Sequence, residues 1–323
     1  MRRRWICILV ALLLFDTISC VTNTRPAFVP GLERGLNWPA APARPRLTWV
    51  GEYGTQKRGY ARPHGVGIAA NGSVCVVDTG ARRVWLHRAE KAARVLGRGE
   101  LLSPVDCGFL PGGKVVVADS SAARLIAFDS RGRMLWSTPP GEYGRPTGVA
   151  VDGKSQRIVV CDAIRHELVF VDYQGRVLSR CGGRGTAPGK FNFPTAVAIG
   201  PKGLIHVIDS LNFRIQILRP DGKHLMSFGI AGDGPGTFQR PRGLGVDRNG
   251  QIYVADAIFD NVQVFSAQGR LLMALGIQGH GPGQFWMPAG VAVGENDRLL
   301  VADAYNHRVQ VFRILSLISE DDQ

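Results

Sequence analysis

Six segments of the chain repeat one arrangement: a proline, a short apolar stretch, a turn, and an apolar run ending in aspartate. They read RPHGVGIAANGSVCVVD, SPVDCGFLPGGKVVVAD, RPTGVAVDGKSQRIVVCD, FPTAVAIGPKGLIHVID, RPRGLGVDRNGQIYVAD and MPAGVAVGENDRLLVAD. Their prolines, Pro63, Pro104, Pro146, Pro194, Pro241 and Pro288, are spaced 41, 42, 48, 47 and 47 residues apart. From Pro to Asp the distance is 15 in five copies and 16 in the third, where DGKSQR adds one turn residue. Such a period restricts the chain to a repeat architecture, because one unit cannot bury its apolar face without the next. With 41 Gly and 19 Pro in 323 residues, long helices are excluded and turns must be frequent. Apolar residues at 45% and charged residues at 20% also exclude a disordered chain.

Within each copy the pattern is that of strands. In the fifth, GLGV, QIYVAD, NVQVF and RLLMALG are short runs rich in β-branched and aromatic residues, separated by turn formers. Asn71-Gly72, Asn249-Gly250, Gly112-Gly113 and Lys202-Gly203 occupy the first turn. Arg131-Gly132, Gln174-Gly175, Gln268-Gly269 and Asp221-Gly222 occupy the last. Glycine there permits the positive φ of tight hairpins. Four antiparallel strands per repeat, arranged radially, predict an all-β fold, a six-bladed β-propeller. The sixth copy stops after VQVFRIL and lacks an outer strand, whereas Arg46–Gly51 matches the outer strands LMSFG and LMALG. The N-terminal strand is therefore predicted to complete the last blade and remove an open edge.

The string VADAYNHRVQVF (Val301–Phe312), the Gly-Pro-Gly-x-Phe loops at Gly234–Phe238 and Gly281–Phe285, and the period resemble those of NHL repeats. The resemblance covers about residues 46–315 and implies a six-bladed propeller. One branch of that family, the peptide-amidating lyases, holds zinc with channel histidines, some of them just after a blade-start proline. Here those positions are His64, Val105, Thr147, Thr195, Arg242 and Ala289. One histidine in six does not assemble a three-His zinc site. The remaining histidines fall at scattered repeat positions, and of these only His206, within a strand, is placed to approach the channel. No metal, no cofactor and no catalytic residue is expected.

The repeated aspartates, Asp78, Asp119, Asp162, Asp209, Asp256 and Asp303, are read as structural. Each is expected to fix the bend between second and third strands and to pair with the residue five later, which is Arg83, Arg124, Arg214 or Arg308. Glu167 and Asn261 break that pattern in copies three and five, whose aspartates must be satisfied otherwise. Phe191, Phe238 and Phe285 are read as plugs between blades. Cys75, Cys107, Cys161 and Cys181 show no C-x-x-C spacing and are read as packed thiols.

The N-terminus reads as an address. Arg2–Arg4 precede an apolar run, Trp5–Phe15, too short to span a bilayer. Residues 1–19 match a secretory signal peptide, and Cys20 stands where a bacterial lipoprotein is acylated. Residues 20–45, with five prolines, are expected to be an extended tether, residues 46–315 the propeller, and residues 316–323 an acidic tail. The formal charge of +13 becomes +11 once the signal is removed, 36 Lys+Arg against 25 Asp+Glu.

Searches for chemistry mostly fail. G-x-S-x-G and H-E-x-x-H do not occur, GGRGTAPGK lacks phosphate-loop spacing, and GVGIAA opens no helix. What remains is a surface. Chain direction puts the loops between second and third strands on one face, together with the loops between blades. That face is expected to carry Leu211, Phe213, Ile258, Phe259 and Tyr305, with Arg62, His64, Arg145, Arg240 and Arg242 near the channel mouth. The expected role is a non-catalytic binding or scaffold protein of the bacterial envelope. It would be membrane-anchored through Cys20 or else secreted, and would contact another envelope or secreted protein rather than nucleic acid. The alternatives are a metal-dependent lyase or hydrolase in the channel, and a binder of anionic envelope polymers.

Overall fold

The architecture follows from the burial each strand demands. Second strands such as Ile205–Asp209 and Ile252–Asp256 are buried throughout, so they must be covered on both sides, and only a neighbouring blade on each side can do that. The computed structural model, which describes residues 26–31, 35–54, 59–89 and 91–315, shows this solution. Six antiparallel sheets follow one another along the chain, five built from four consecutive strands and the sixth from the last three strands together with N-terminal ones. Their inner strands are Pro63–Ile68, Pro104–Leu110, Pro146–Asp152, Pro194–Ile199, Pro241–Val246 and Pro288–Val293. One apolar cluster fills each junction. Cys75, Val77 and Leu86 of the first blade meet Val117, Ile126 and Phe128 of the second, and the pattern recurs until Val309 and Val311 of the sixth meet Val74 and Val76 of the first. At the first junction the Cys75 and Cys107 thiols face each other at 2.8 Å.

The ring closes as expected. Leu47–Tyr53 pairs antiparallel with Arg308–Ile314, from Leu47 opposite Ile314 to Tyr53 opposite Val309. The Arg308 guanidinium binds Asp303 at 2.9 Å and Glu52 of the closing strand at 3.0 Å. The tether expectation, by contrast, fails over its described part. Phe28–Pro30 pairs with Gly51–Tyr53, and Asn37–Trp38 pairs with Leu47–Thr48, so two short strands cover the outer edge of the closing strand. Trp38 packs against Phe312, ring centroids 5.6 Å apart. Prolines in this stretch are compatible with edge strands, where few backbone donors are needed. Residues 1–19, Cys20 and the tail at 316–323 lie outside the described residues.

The aspartate of each repeat is fully buried. In four blades its principal partners are backbone amides, while Asp209 and Asp303 each take one amide, of Asn192 and Trp286, and are otherwise held by Asn, Arg and Gln side chains. Asp78 accepts from Ala61 and Arg62, Asp119 from Leu102 and Ser103, Asp162 from Gly144 and Arg145, Asp256 from Gln239 and Arg240. These donors lie just ahead of the blade-start proline, so the carboxylate ties the end of the second strand to the start of the first. The expected arginine pairs form at Asp78, Asp209 and Asp303. Arg124 departs from the pattern and binds the Glu100 carbonyl. In the third blade Arg165 stands 3.9 Å from Asp162, while Asp256 is satisfied by amides, including that of Ile258.

Phe191, Phe238 and Phe285 are fully buried between blades. The loops bearing them are held by glutamines. Gln216, Gln263 and Gln310, on third strands, each accept from the glycine two residues before the phenylalanine and donate to the carbonyl next to it. Gln310→Leu would leave the Gly283 amide buried without its acceptor and take one of two donors from the Gln284 carbonyl, which keeps Arg308. It is expected to cost about 3 kcal/mol, measured by denaturant unfolding against Gln268→Leu in an exposed turn, which should cost little.

Candidate functional site at the channel mouth

Inner strands start on the face that carries the inter-blade loops and run away from it, so the residue after each proline lies near the mouth of the central channel. His64, Val105, Thr147, Thr195 and Arg242 line one cavity of about 60 Å³ together with Asp106. Two residues further along the same strands, Val66, Val149, Val197, Leu244 and Val291 line it too, giving a polar mouth above an apolar floor. The channel is narrow because the inner strands pack backbone against backbone. A Cβ at Gly243 would come 2.0 Å from the Ala289 carbonyl oxygen, and one at Gly290 2.3 Å from that of His64. Most copies therefore carry Pro-x-Gly, and the second carries Asp106 instead. Its carboxyl accepts from the Cys107 amide and, across the junction, from the Val149 amide, both at 2.9 Å.

The electrostatics of the mouth are lopsided. The His64 Nδ1 atom donates to the Val105 carbonyl at 2.9 Å. A carbonyl can only accept, so the proton sits on Nδ1 and Nε2 keeps its lone pair. Burial, then the nearby Arg242 cation, lowers the His64 pKa to about 4, so the imidazole is neutral at neutral pH. Arg242 is half-buried, and its own pKa is lowered by burial and by Arg240 and Arg62, with Tyr305 acting in the opposite sense. Among the described residues, none of Arg62, Arg240 and Arg242 forms an ion pair with a carboxylate, unlike Arg214 or Arg308. Thr147 donates to the Pro194 carbonyl, whereas the Thr195 hydroxyl is buried with no partner.

The surrounding face carries Leu211, Ile258 and Tyr305, exposed by 51%, 48% and 43%. Phe213 and Phe259, named with them from the sequence, are half-buried instead. Phe213 sits at φ 52° and packs against the core between the fourth and fifth blades. Its backbone conformation recurs in every blade, at Arg82, Ala123, His166, Asp260 and His307, four residues after the aspartate. Arg145 is exposed and lies beside Ser120, with Nε to Oγ at 3.4 Å. His206 is buried in a second strand, where burial lowers its pKa to about 4, and it does not line the channel cavity.

Sequence reasoning missed Asp106 as a mouth residue, and it put Thr195 at a channel position without naming it as a candidate. The signal for Asp106 was legible, since it is the one bulky residue in a column otherwise occupied by Gly or Ala. It also missed Ile230, Ile277 and Trp286 in the inter-blade loops. Trp286 forms a shelf with Tyr305 and His280, ring centroids 5.4 Å apart in each pair, and His280 is fixed by Asn306 at 2.6 Å. Among the described residues no cluster of three or more His, Cys, Asp or Glu could hold a metal ion.

A closed ring of six four-stranded blades with these repeated loops defines the class. The NHL repeat model matches residues 238–265 and 285–312, so the chain is a six-bladed β-propeller that carries NHL repeats. No curated protein matches the chain in sequence. Solved structures share the fold. A gluconolactonase from Xanthomonas campestris is 16% identical with a TM-score of 0.68, over 91% of this chain and 99% of that one. A streptogramin B lyase is 11% identical with a TM-score of 0.60, over 83% and 97%. The virginiamycin B lyase of Staphylococcus aureus is 12% identical with a TM-score of 0.59, over 84% and 99%.

Burial raises the Asp106 carboxyl to about 7, against the two amides that pull it down. An unfolded carboxyl loses its proton near pH 4, so between pH 4 and 7 the unfolded state binds fewer protons and stability falls as pH rises. Asp106→Asn lacks this titration. Relative to that variant, the wild-type protein is expected to lose about 3 kcal/mol between pH 4 and 8, read from denaturant midpoints. A constant difference would mean that the carboxyl is ionised throughout.

Proposed function

We propose that this propeller is a non-catalytic binding protein of the bacterial envelope that engages a protein partner through the face carrying the inter-blade loops. One observation carries the reading. Outside the outer strands and the covering strand Phe28–Pro30, every large apolar side chain exposed among the described residues lies on this face. Leu211, Ile230, Ile258, Ile277, Trp286 and Tyr305 crowd blades four to six, and Leu102 and Ile164 extend the set. Among the described residues the opposite face has none. Apolar surface concentrated on one side and rimmed by cations suits contact with a protein. The triple variant Leu211→Ser, Ile258→Ser, Tyr305→Ser is expected to fold with an unchanged melting temperature. In crosslinking from native envelopes it should recover at least tenfold less partner than the wild-type chain. Equal recovery would overturn the reading.

Export and anchoring rest on residues 1–20 of the sequence. With more than one acyl chain at Cys20, the protein would stay on the membrane, since each buried methylene contributes about 0.8 kcal/mol. Labelling of cells with an alkyne fatty acid is expected to tag the wild-type chain and not Cys20→Ala. An untagged wild-type chain would point to secretion.

Two other readings have some support. The hairpin-turn face carries Arg131, Arg133, Lys154, Lys202, Arg219 and Arg270, which favours attraction to anionic polymers. Such binding would fade steeply with salt. A neutral His64 beside Arg242 favours channel chemistry of the kind named for the lyases and the gluconolactonase of similar fold. A cavity of about 60 Å³, against the several hundred usual for small-molecule sites, weighs against it.

A further inference from the structure

We infer that the channel mouth is a carboxylate subsite that receives the free C-terminus of the partner polypeptide. This rests on the protein-binding reading of the same face and adds which part of the partner is held. The inference starts from what the mouth offers. Arg242 is a half-buried guanidinium with Arg240 and Arg62 nearby, and none of the three has a carboxylate partner among the described residues. A guanidinium presents donors in a planar fork that matches a carboxylate. Thr195 adds a buried hydroxyl that has no hydrogen-bond partner. His64 adds the opposite function, an Nε2 acceptor, because its Nδ1 proton is already committed to Val105.

Two donor groups beside one acceptor describe a ligand that is anionic and also carries an N–H close to its charge. A polypeptide C-terminus has both, the carboxylate and the amide of its last residue. A side-chain carboxylate of Asp or Glu is separated from its backbone amide by intervening carbons. Volume agrees with this choice, since about 60 Å³ admits roughly two water molecules or one carboxylate. The ligand must therefore enter by its end and leave the rest of its chain outside. Tyr305 lies close enough to Arg242 to influence its charge, and it stacks on Trp286. The apolar shelf thus begins where the subsite ends, and the residues preceding the terminus would lie across it.

The test uses the chain from residue 21 onward, immobilised, and two matched pools of hexapeptides whose last three positions are drawn from Leu, Ile, Phe and Tyr. One pool ends in free carboxylates and the other in amides. Retention of the free-acid pool is expected to exceed that of the amide pool at least tenfold. Arg242→Gln should abolish the preference, Thr195→Val should weaken it several-fold, and N-methylation of the last peptide bond should lower retention by removing the donor to His64. Equal retention of the pools, retention of neither, an unchanged preference in Arg242→Gln, or equal competition by millimolar inorganic phosphate would each overturn the subsite. Enrichment of peptides with internal Asp or Glu, whatever their terminus, would overturn it in favour of side-chain recognition. If both pools are retained equally and the triple Ser variant loses them, the face stands and the subsite falls. Melting temperatures of all variants exclude unfolding as the cause.

Discussion

The structure depends on a carboxylate buried once per blade. An ionised carboxylate without partners would be among the costliest groups to hide. Here each is met by at least one backbone amide just ahead of its own inner strand, and in four blades an arginine lies within 4.0 Å as well. Charge-assisted bonds to main-chain donors are strong and directional. They fix where the inner strand starts relative to the end of the second strand. Since the same residue recurs in six blades, all six inner strands begin at one level, and the residues after the prolines converge on one mouth. The site is thus a product of the repeat's most buried polar interaction.

Packing at the axis and chemistry at the mouth are coupled. Glycine in the inner strands lets backbones approach to a distance that a methyl group would prevent, and this closeness leaves a cavity of only about 60 Å³ at the axis. A narrow, apolar-floored cavity makes charge expensive, and the mouth responds accordingly. His64 stays neutral, and Asp106 holds its proton to about pH 7. Arg242 keeps its charge beside two other cations without a described counter-ion. A cation held in this way attracts anions, and in the proposed mode of binding the exposed apolar loops of blades four to six would supply surface for the remainder of the partner.

Much of this was legible in the chain. The Pro-to-Asp interval, the glycine turns and the truncated sixth copy determined a closed ring of six blades with an N-terminal closing strand, because period and pattern are local properties that each copy states again. The face on which the loops gather also followed, since strand direction alternates. The side chains on that face were less legible. Phe213 and Phe259 looked equivalent to Leu211 and Ile258 in the alignment of copies, yet a left-handed backbone at Phe213 turns its ring toward the core. No copy has glycine there, so the composition held no warning. The stretch around Trp38 read as a tether because prolines hide short edge strands that form only once a partner edge exists.

The sequence alone determined the number of blades, their strand order, the closure of the ring and the structural role of the aspartates. Each of these follows from spacing and burial that any copy can express by itself. Tertiary structure decided which polar residues of six separate strands share one cavity, which of them remain without partners, and which apolar loops stay in water. These depend on distances between residues far apart in the chain, from His64 to Arg242 and from Trp286 to Tyr305, and no repeat contains that information until the last blade meets the first.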